Sequence, residues 1–306
     1  MKSTLKVNKK VDFAGHTGSV YALSAAAMAD EFYSGGSDRL IAQWNTNQPS
    51  EGKLLARTND IIYSLLNINE KGLLLAGQAA GGIHVINTVT NAEERLLQYH
   101  EAPVFDMVMS NVHHLLFTLA GDGGMAMIDA SDFSLISRSQ LIQGKLRSAA
   151  LNDDESLIAV GAGDGSVFIF SLPDMKPVYH GKVHQENFSV NAVSFSPDGK
   201  YLLTGSRDAH LKIFDVKNNF KEVHSIPAHN YAIYSIVWHP SHSHFATASR
   251  DKTIKVWDPS TFEVVLRIDN AREQGHVNSV NKLIYLNDGR LISGSDDRSV
   301  MLWSIH

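Results

Sequence analysis

Ala228–Asp258 reads AHNYAIYSIVWHPSHSHFATASRDKTIKVWD. It contains three short strand-like runs separated by turn residues. Ile233, Ser235 and Val237 fall on one face of the first run, with Tyr234, Ile236 and Trp238 on the other. Phe245–Ser249 is small and β-prone, and Thr253–Trp257 alternates again. Period-two patterning broken by turn residues is the signature of strands, and no helical stripe competes with it.

Working outward from Trp257, the same frame recurs along the chain. The equivalent anchors are Trp44, Ile86, Ile128, Phe170, Phe214, Trp257 and Trp303, spaced 42, 42, 42, 44, 43 and 46 residues apart. Each anchor is bulky and apolar and closes a strand-like run. Six residues before it stands an acid in six of the seven repeats: Asp38, Asp122, Asp164, Asp208, Asp251 and Asp297, with Ala80 in the second. A histidine lies 27 to 30 residues before the anchor in five repeats, as His16, His100, His184, His229 and His276. A period in the low forties with several strands per unit marks a propeller array.

Period, acid and histidine in register resemble the WD-repeat β-propeller family over nearly the whole chain. Only Trp257-Asp258 is a literal Trp-Asp pair; repeats two and four are the most degenerate, since neither keeps the histidine. The resemblance implies an all-β, seven-bladed propeller of four-stranded antiparallel blades, one domain over residues 1–306. It also implies a hydrogen-bonded tetrad within a blade. His229, Ser249, Asp251 and Trp257 match it in blade six, and His276, Ser295, Asp297 and Trp303 in blade seven. Blade five offers His184, Ser206 and Asp208, with Phe214 replacing tryptophan. Buried indole, imidazole and carboxylate groups each need a partner. The degenerate blades are expected to depend on packing more than on such networks. In this family the N-terminal strand completes the last blade. Thr4–Phe13 is the candidate here, because an open array leaves unpaired edges.

Composition bounds the function. The 306 residues include 43% hydrophobic residues, enough for a packed core, and the net charge of −5 gives no global pull toward nucleic acid or anionic membrane. The absence of cysteine excludes a disulfide framework and a thiolate metal site. The start, MKSTLKVNKKVDFAGH, lacks the apolar run of a signal peptide, and no run is long enough for a membrane helix. A cytoplasmic protein is expected, and the Asn187–Ser189 acceptor pattern is read as chance.

Three constellations could carry chemistry. His229, Ser249 and Asp251 have the composition of a hydrolase triad, but the same types recur at the same offsets in other blades, as a structural network would. His239, His242 and His244 in HPSHSH could hold a metal; sparse carboxylates and a turn setting favour a solvated turn, so no metal or cofactor is expected. Gly161-Ala162-Gly163-Asp164-Gly165 looks like a phosphate loop, but it coincides with the acid turn of blade four and no helix follows.

Register supplies the candidate binding surface. Counting back 23 residues from each anchor, and 22 in the last blade, gives Tyr21, Tyr63, Phe105, Arg147, Asn191, Tyr234 and Asn281. Each follows an apolar core residue at the start of a blade's first strand. By resemblance to the family, this position rims the central channel on the top face. The residue before the turn acid reaches the same rim, as Ser37, Ala79, Gly121, Gly163, Arg207, Arg250 and Asp296. Aromatics and arginines are enriched at binding hot spots, and guanidinium suits carboxylates. The expected function is a non-catalytic protein–protein interaction scaffold, monomeric within a larger complex. Its top face takes an acidic or extended segment of a partner protein, through Tyr21, Tyr63, Phe105, Arg147, Asn191, Arg207, Tyr234, Arg250 and Asn281. The alternative is a propeller enzyme or small-molecule binder using the channel. The longer connections Lys182–Ser189 and Asp269–Ser279 are further candidates for partner contact.

Overall fold

The computed structural model describes residues 5–306. Seven four-stranded antiparallel sheets account for nearly all the described residues, each built from strands consecutive in sequence except the last. These are the blades of a seven-bladed β-propeller. Blade six shows the pattern: Ile233–Trp238, Phe245–Ser249, Ile254–Trp257 and Val264–Ile268. Its middle strands are almost wholly buried, its first strand is partly so, and its outer strand is mostly exposed or half-buried.

The last blade combines Val280–Tyr285, Leu291–Ser295 and Val300–Ile305 with Val7–Phe13. The N-terminal strand pairs antiparallel with the third strand of that sheet, Val7 opposite Ile305 and Phe13 opposite Val300. The expected closure is therefore present in Val7–Phe13; Thr4 lies outside the described residues. Phe13 is buried against Phe32 and Trp44 of blade one, with ring centroids 5.0 and 5.5 Å away.

The chain forms two compact units. One comprises residues up to Ala76 together with Ile86–Glu94 and Tyr234–His306; the other comprises Gly77–Val85 and Arg95–Ile233. In the first, Val20, Leu23, Phe32 and Trp44 share a core with Ile292, Val300 and Leu302. In the second, Phe117, Leu119 and Leu146 pack with Ile158 and Val160, and Ile169 and Val190 with Leu202 and Phe214.

The only α-helix among the described residues, Asn270–Glu273, sits in the long connection before blade seven. It is held by a reciprocal cap. The Asp269 carboxylate accepts from Arg272 N at 3.1 Å, and Glu273 Oε2 accepts from Asp269 N at 3.0 Å.

Candidate functional site

Buried hydrogen-bonded networks fix the groups near the acid turns. In blade seven the Trp303 indole donates to Ser293 Oγ at 2.8 Å. That hydroxyl meets His276 Nε2 at 2.7 Å, and His276 Nδ1 meets Asp297 at 2.9 Å. Blade one repeats it, with Trp44 on Ser34 at 2.7 Å, Ser34 on His16 at 2.7 Å and His16 on Asp38 at 2.8 Å. Proton placement follows from the ends. The indole can only donate and the carboxylate only accept, so the hydroxyl proton goes to Nε2 and the Nδ1 proton to the acid.

The hydroxyl is not the residue expected from sequence. Trp257 donates to Thr247 at 2.9 Å, not to Ser249, and Ser293 replaces Ser295. In blade five His184 meets Thr204 at 2.8 Å rather than Ser206. Both candidates lie on the same strand face, so alternation alone does not choose between them. Cross-strand geometry does. Phe245 stands opposite Trp257 and Leu291 opposite Trp303, so the indole reaches the diagonal neighbour two residues along. Ser249 and Ser295 instead hold the turn, accepting from Asp251 N at 3.0 Å and Asp297 N at 3.1 Å. The network hydroxyl always stands ten residues before the anchor, and blades two and four carry Ala76 and Val160 there. The blades without the histidine thus lack the hydroxyl too, and both positions are filled by buried apolar groups. Blade two substitutes a buried pair, His84 Nε2 with Gln78 Oε1 at 3.0 Å.

Electrostatics follow the geometry. Burial alone would raise the Asp208 carboxylate, but the hydrogen bond and attraction of His184 outweigh it and bring it down to about 2. Asp297 lies well below the usual carboxylate range: burial opposes this, and the bonds from His276 and Ser299 win. Blade three differs. His100 Nε2 meets Thr118 at 2.8 Å, but Arg138 takes Asp122 at 2.8 Å and leaves the carboxylate 3.8 Å from His100 Nδ1. That nitrogen is buried without a hydrogen-bond partner, and burial lowers the His100 pKa to about 4.

The network hydroxyls Ser34, Thr118, Thr204, Thr247 and Ser293 are fully buried. A substrate cannot reach them, so the triad composition does not make a nucleophile. The glycine run Gly161–Gly165 is a strand-to-strand turn in which Asp164 accepts from Ser166 N at 3.0 Å. In the HPSHSH turn, His239 Nδ1 meets Ser241 Oγ at 2.8 Å and Ser243 Oγ meets His244 Nδ1 at 2.9 Å. The two imidazoles lie 4.4 Å apart, each edge-on to Tyr285. Among the described residues no group of three or more His, Cys, Asp or Glu side chains is arranged to hold a metal.

The register positions behave as one class. In blades one, three, four, five and seven the ladder between first and second strands slips by one residue. Val20 and Ala22, for example, face Gly36 and Gly35. The extra residues are Tyr21, Phe105, Arg147, Asn191 and Asn281. A bulge re-aims its residue out of the pleat. The residue before the turn acid lies alongside, its N–H donating to the carbonyl just before the first strand. Examples are Ser37 to Ser19 at 2.8 Å, Gly121 to Pro103 at 2.9 Å and Arg207 to Ser189 at 2.9 Å.

Within that class the side chains divide. Asn191 donates to Ile233 O at 3.2 Å, and Asn281 to Val20 O at 3.0 Å and to Asp296 at 2.8 Å. These two amides bond the start of the next blade. The others present rings and charge. In the first unit Tyr21 and Tyr63 stack at 5.3 Å and 16°, Tyr234 is half-buried and Arg250 is exposed. In the second, the Arg147 guanidinium lies 4.2 Å from the Phe105 ring centroid, and exposed Arg207 lies 6.0 Å from that of Phe188. Phe188 lies in the long connection Lys182–Ser189, where no register position marks it in the sequence.

Comparison with known proteins agrees with the fold. The model of the family described as "WD domain, G-beta repeat" matches residues 7–45, 175–215, 220–258 and 270–304. The WD40 β-propeller domain of Doa1 superposes with a TM-score of 0.85 over 97% of both chains, at 16% identity. Among curated proteins, the mouse "Periodic tryptophan protein 2 homolog" is 24% identical over 225 residues, 68% of this chain and 24% of that protein. "U3 small nucleolar RNA-associated protein 7" of Saccharomyces cerevisiae is 29% identical over 134 residues, 44% of this chain and 23% of that protein. "WD repeat-containing protein 90" of Xenopus tropicalis is 26% identical over 147 residues, 45% of this chain and 8% of that protein. The chain therefore spans at most about a quarter of the length of these relatives.

Proposed function

This chain belongs to the WD40 repeat family, and from that premise we propose that it is a non-catalytic protein–protein interaction platform. Propellers of this family typically serve as protein-interaction scaffolds. The finer reading is that an acidic or extended segment of a partner protein docks on the bulged register positions and their neighbours before the acid turns.

One observation carries it. An asparagine at this position suffices to staple one blade to the next, as Asn191 and Asn281 do. The remaining blades instead spend the position on Tyr21, Tyr63, Phe105, Arg147 and Tyr234. Rings and guanidinium groups on a rigid element, half-exposed, are what a partner's side chains and backbone can use. We read the protein as a single propeller within a larger complex, in the cytoplasm.

The test is a double substitution in the first unit, Arg250→Glu with Tyr234→Ala. Partner capture from native lysate should be lost while the thermal unfolding midpoint stays within about 3 °C of wild type. Retention of every partner by a folded double variant refutes the reading.

A further inference from the structure

The HPSHSH turn joins the first two strands of blade six, and the direction of its hydrogen bonds is fixed from one end. Ser241 N donates to His239 Nδ1 at 3.1 Å, so that nitrogen carries a lone pair and the His239 proton sits on Nε2. Nε2 donates to the Gly289 backbone of blade seven. Only glycine permits this approach, since a Cβ there would stand 2.3 Å from Nε2. Ser241 Oγ lies 2.8 Å from the Nδ1 lone pair and donates to it. The hydroxyls of Ser241 and Ser243 lie 3.0 Å apart, and with the Ser241 proton spent, Ser243 supplies the one between them. His244 Nδ1, 2.9 Å from Ser243 Oγ, must then donate, which leaves a bare lone pair on His244 Nε2.

That nitrogen is buried without a partner, as are the Trp238 indole N–H and the Tyr285 hydroxyl. The two imidazoles lie 4.4 Å apart and meet the Tyr285 ring at 5.2 and 5.7 Å. Neither imidazole forms an ion pair among the described residues. From blade seven they face neutral Tyr285, and on their own turn the nearest titratable group is exposed His242. Asp288 and Arg290, beside Gly289, bond each other at 2.5 Å, and Arg290 also holds Asp30 at 2.7 Å. Burial lowers His244 to about 4 and moves His239 in the same direction.

A second proton therefore has no place in this arrangement. On His239 Nδ1 it would displace the Ser241 N–H and reverse the hydroxyl chain. On His244 Nε2 it would set a buried cation against the other imidazole with no acid to meet it.

We infer that the HPSHSH turn is an acid-released flap. With both rings neutral it is latched to Gly289 and Tyr285 of blade seven; with either ring doubly protonated it opens and uncovers Tyr285 and Trp238. The flap sits at the end of the second strand opposite the acid turn, and it goes beyond the proposed platform without depending on it.

The experiment is hydrogen exchange of the full chain at about pH 7 and pH 4.5, each rate divided by the intrinsic rate at that pH. The amides of His239, Ser241 and His242 bond within the turn, whereas Phe245–Ser249 pairs with Ile254–Trp257 in the sheet. A pKa depressed in the closed state makes that state lose ground as pH falls below 6.5. The turn amides should therefore exchange at least about tenfold faster at the lower pH, with the sheet amides nearly unchanged. His244→Phe should remove most of the acceleration, and His242→Ala should keep it. Nitrogen NMR of the wild-type rings at pH 7 checks the latch without any substitution. His239 should carry its proton on Nε2 and His244 on Nδ1.

A turn that stays protected at pH 4.5 overturns the flap. So does equal acceleration in His244→Phe, or its loss in His242→Ala. Turn and sheet amides accelerating together would mean global unfolding rather than a local opening, and the same tautomer on both rings would refute the latch.

Discussion

Blades seven and three start from the same register and end differently. Both place a histidine, a hydroxyl ten residues before the anchor and an acid six before it. In blade seven the three join with Trp303 into a continuous chain of bonds of 2.7 to 2.9 Å. In blade three the anchor is Ile128, so no indole donates, and Arg138 from the outer strand draws Asp122 away from His100. Yet both blades form the same four-stranded sheet. The comparison separates two jobs that the repeat combines. The backbone ladder and apolar anchors make the blade, and the polar chain only satisfies groups that the anchors bury.

The largest expected effect breaks the complete network. Ser293→Ala strands both the Trp303 N–H and His276 Nε2 in the core. It should cost about 2–4 kcal/mol by urea unfolding, since each buried orphan costs about 1–3 kcal/mol. Thr118→Ala in blade three strands only His100 Nε2 and should cost about half as much. Equal losses would remove the distinction between the blades.

Acid should separate them next. The folded pKa of His100 is about 4, below its ordinary value of 6.5. Below 6.5 the unfolded chain therefore binds more protons, and stability falls as pH drops from about 6.5 toward 4. The contribution of His100 is on the order of 3 kcal/mol at the lower end. Asp208 and Asp297 act in a different window. Their folded values are depressed, so their stabilisation is intact above the ordinary carboxylate range and fades only as pH falls below about 4. A His100→Gln variant should make the upper part of the pH–stability curve shallower, with His244, which burial also lowers to about 4, and His184 still contributing there, and leave the lower part unchanged. An unaltered slope between pH 6.5 and 4 would assign that loss to another group.

The smallest effect comes from repairing blade three. Arg138→Gln removes the competing cation and lets Asp122 swing back to His100 Nδ1. The His100 pKa should rise, as read by NMR titration of its ring protons. Global stability should change by less than about 1 kcal/mol, because the Arg138–Asp122 pair is partly exposed.

Much of this was legible in the sequence, for reasons the comparison makes plain. The anchors, the turn acids and the histidines recur at fixed offsets because each blade must bury the same apolar residue and turn at the same place. The closure by Val7–Phe13 was legible from its alternation and from the strand that the last repeat otherwise wants. The tetrad hydroxyl was misplaced by two residues, since Ser249 and Thr247 share a face and only the diagonal across to Trp257 decides. The bulges at Tyr21, Phe105, Arg147, Asn191 and Asn281 left no mark: one extra residue in a short strand does not disturb the alternation enough to be seen. Nor did Arg138, because competition for a carboxylate depends on an outer strand whose pairing the sequence does not specify.

The pairing of Val7–Phe13 with Val300–Ile305 also bears on how the protein is made. Six of the sheets can assemble from strands that leave the ribosome one after another, but in the seventh Val7–Phe13 must wait until Val300–Ile305 has been translated. At about 5–20 residues per second, that delay runs to tens of seconds. Through it an early strand with valines at 7 and 11 stays unpaired, a standing invitation to a neighbouring chain. Its alternate positions Asn8, Lys10 and Asp12 are polar, and Lys9 adds a further charge. Charged edges of this kind resist aggregation, so the residues that finish the fold also guard it while it is incomplete.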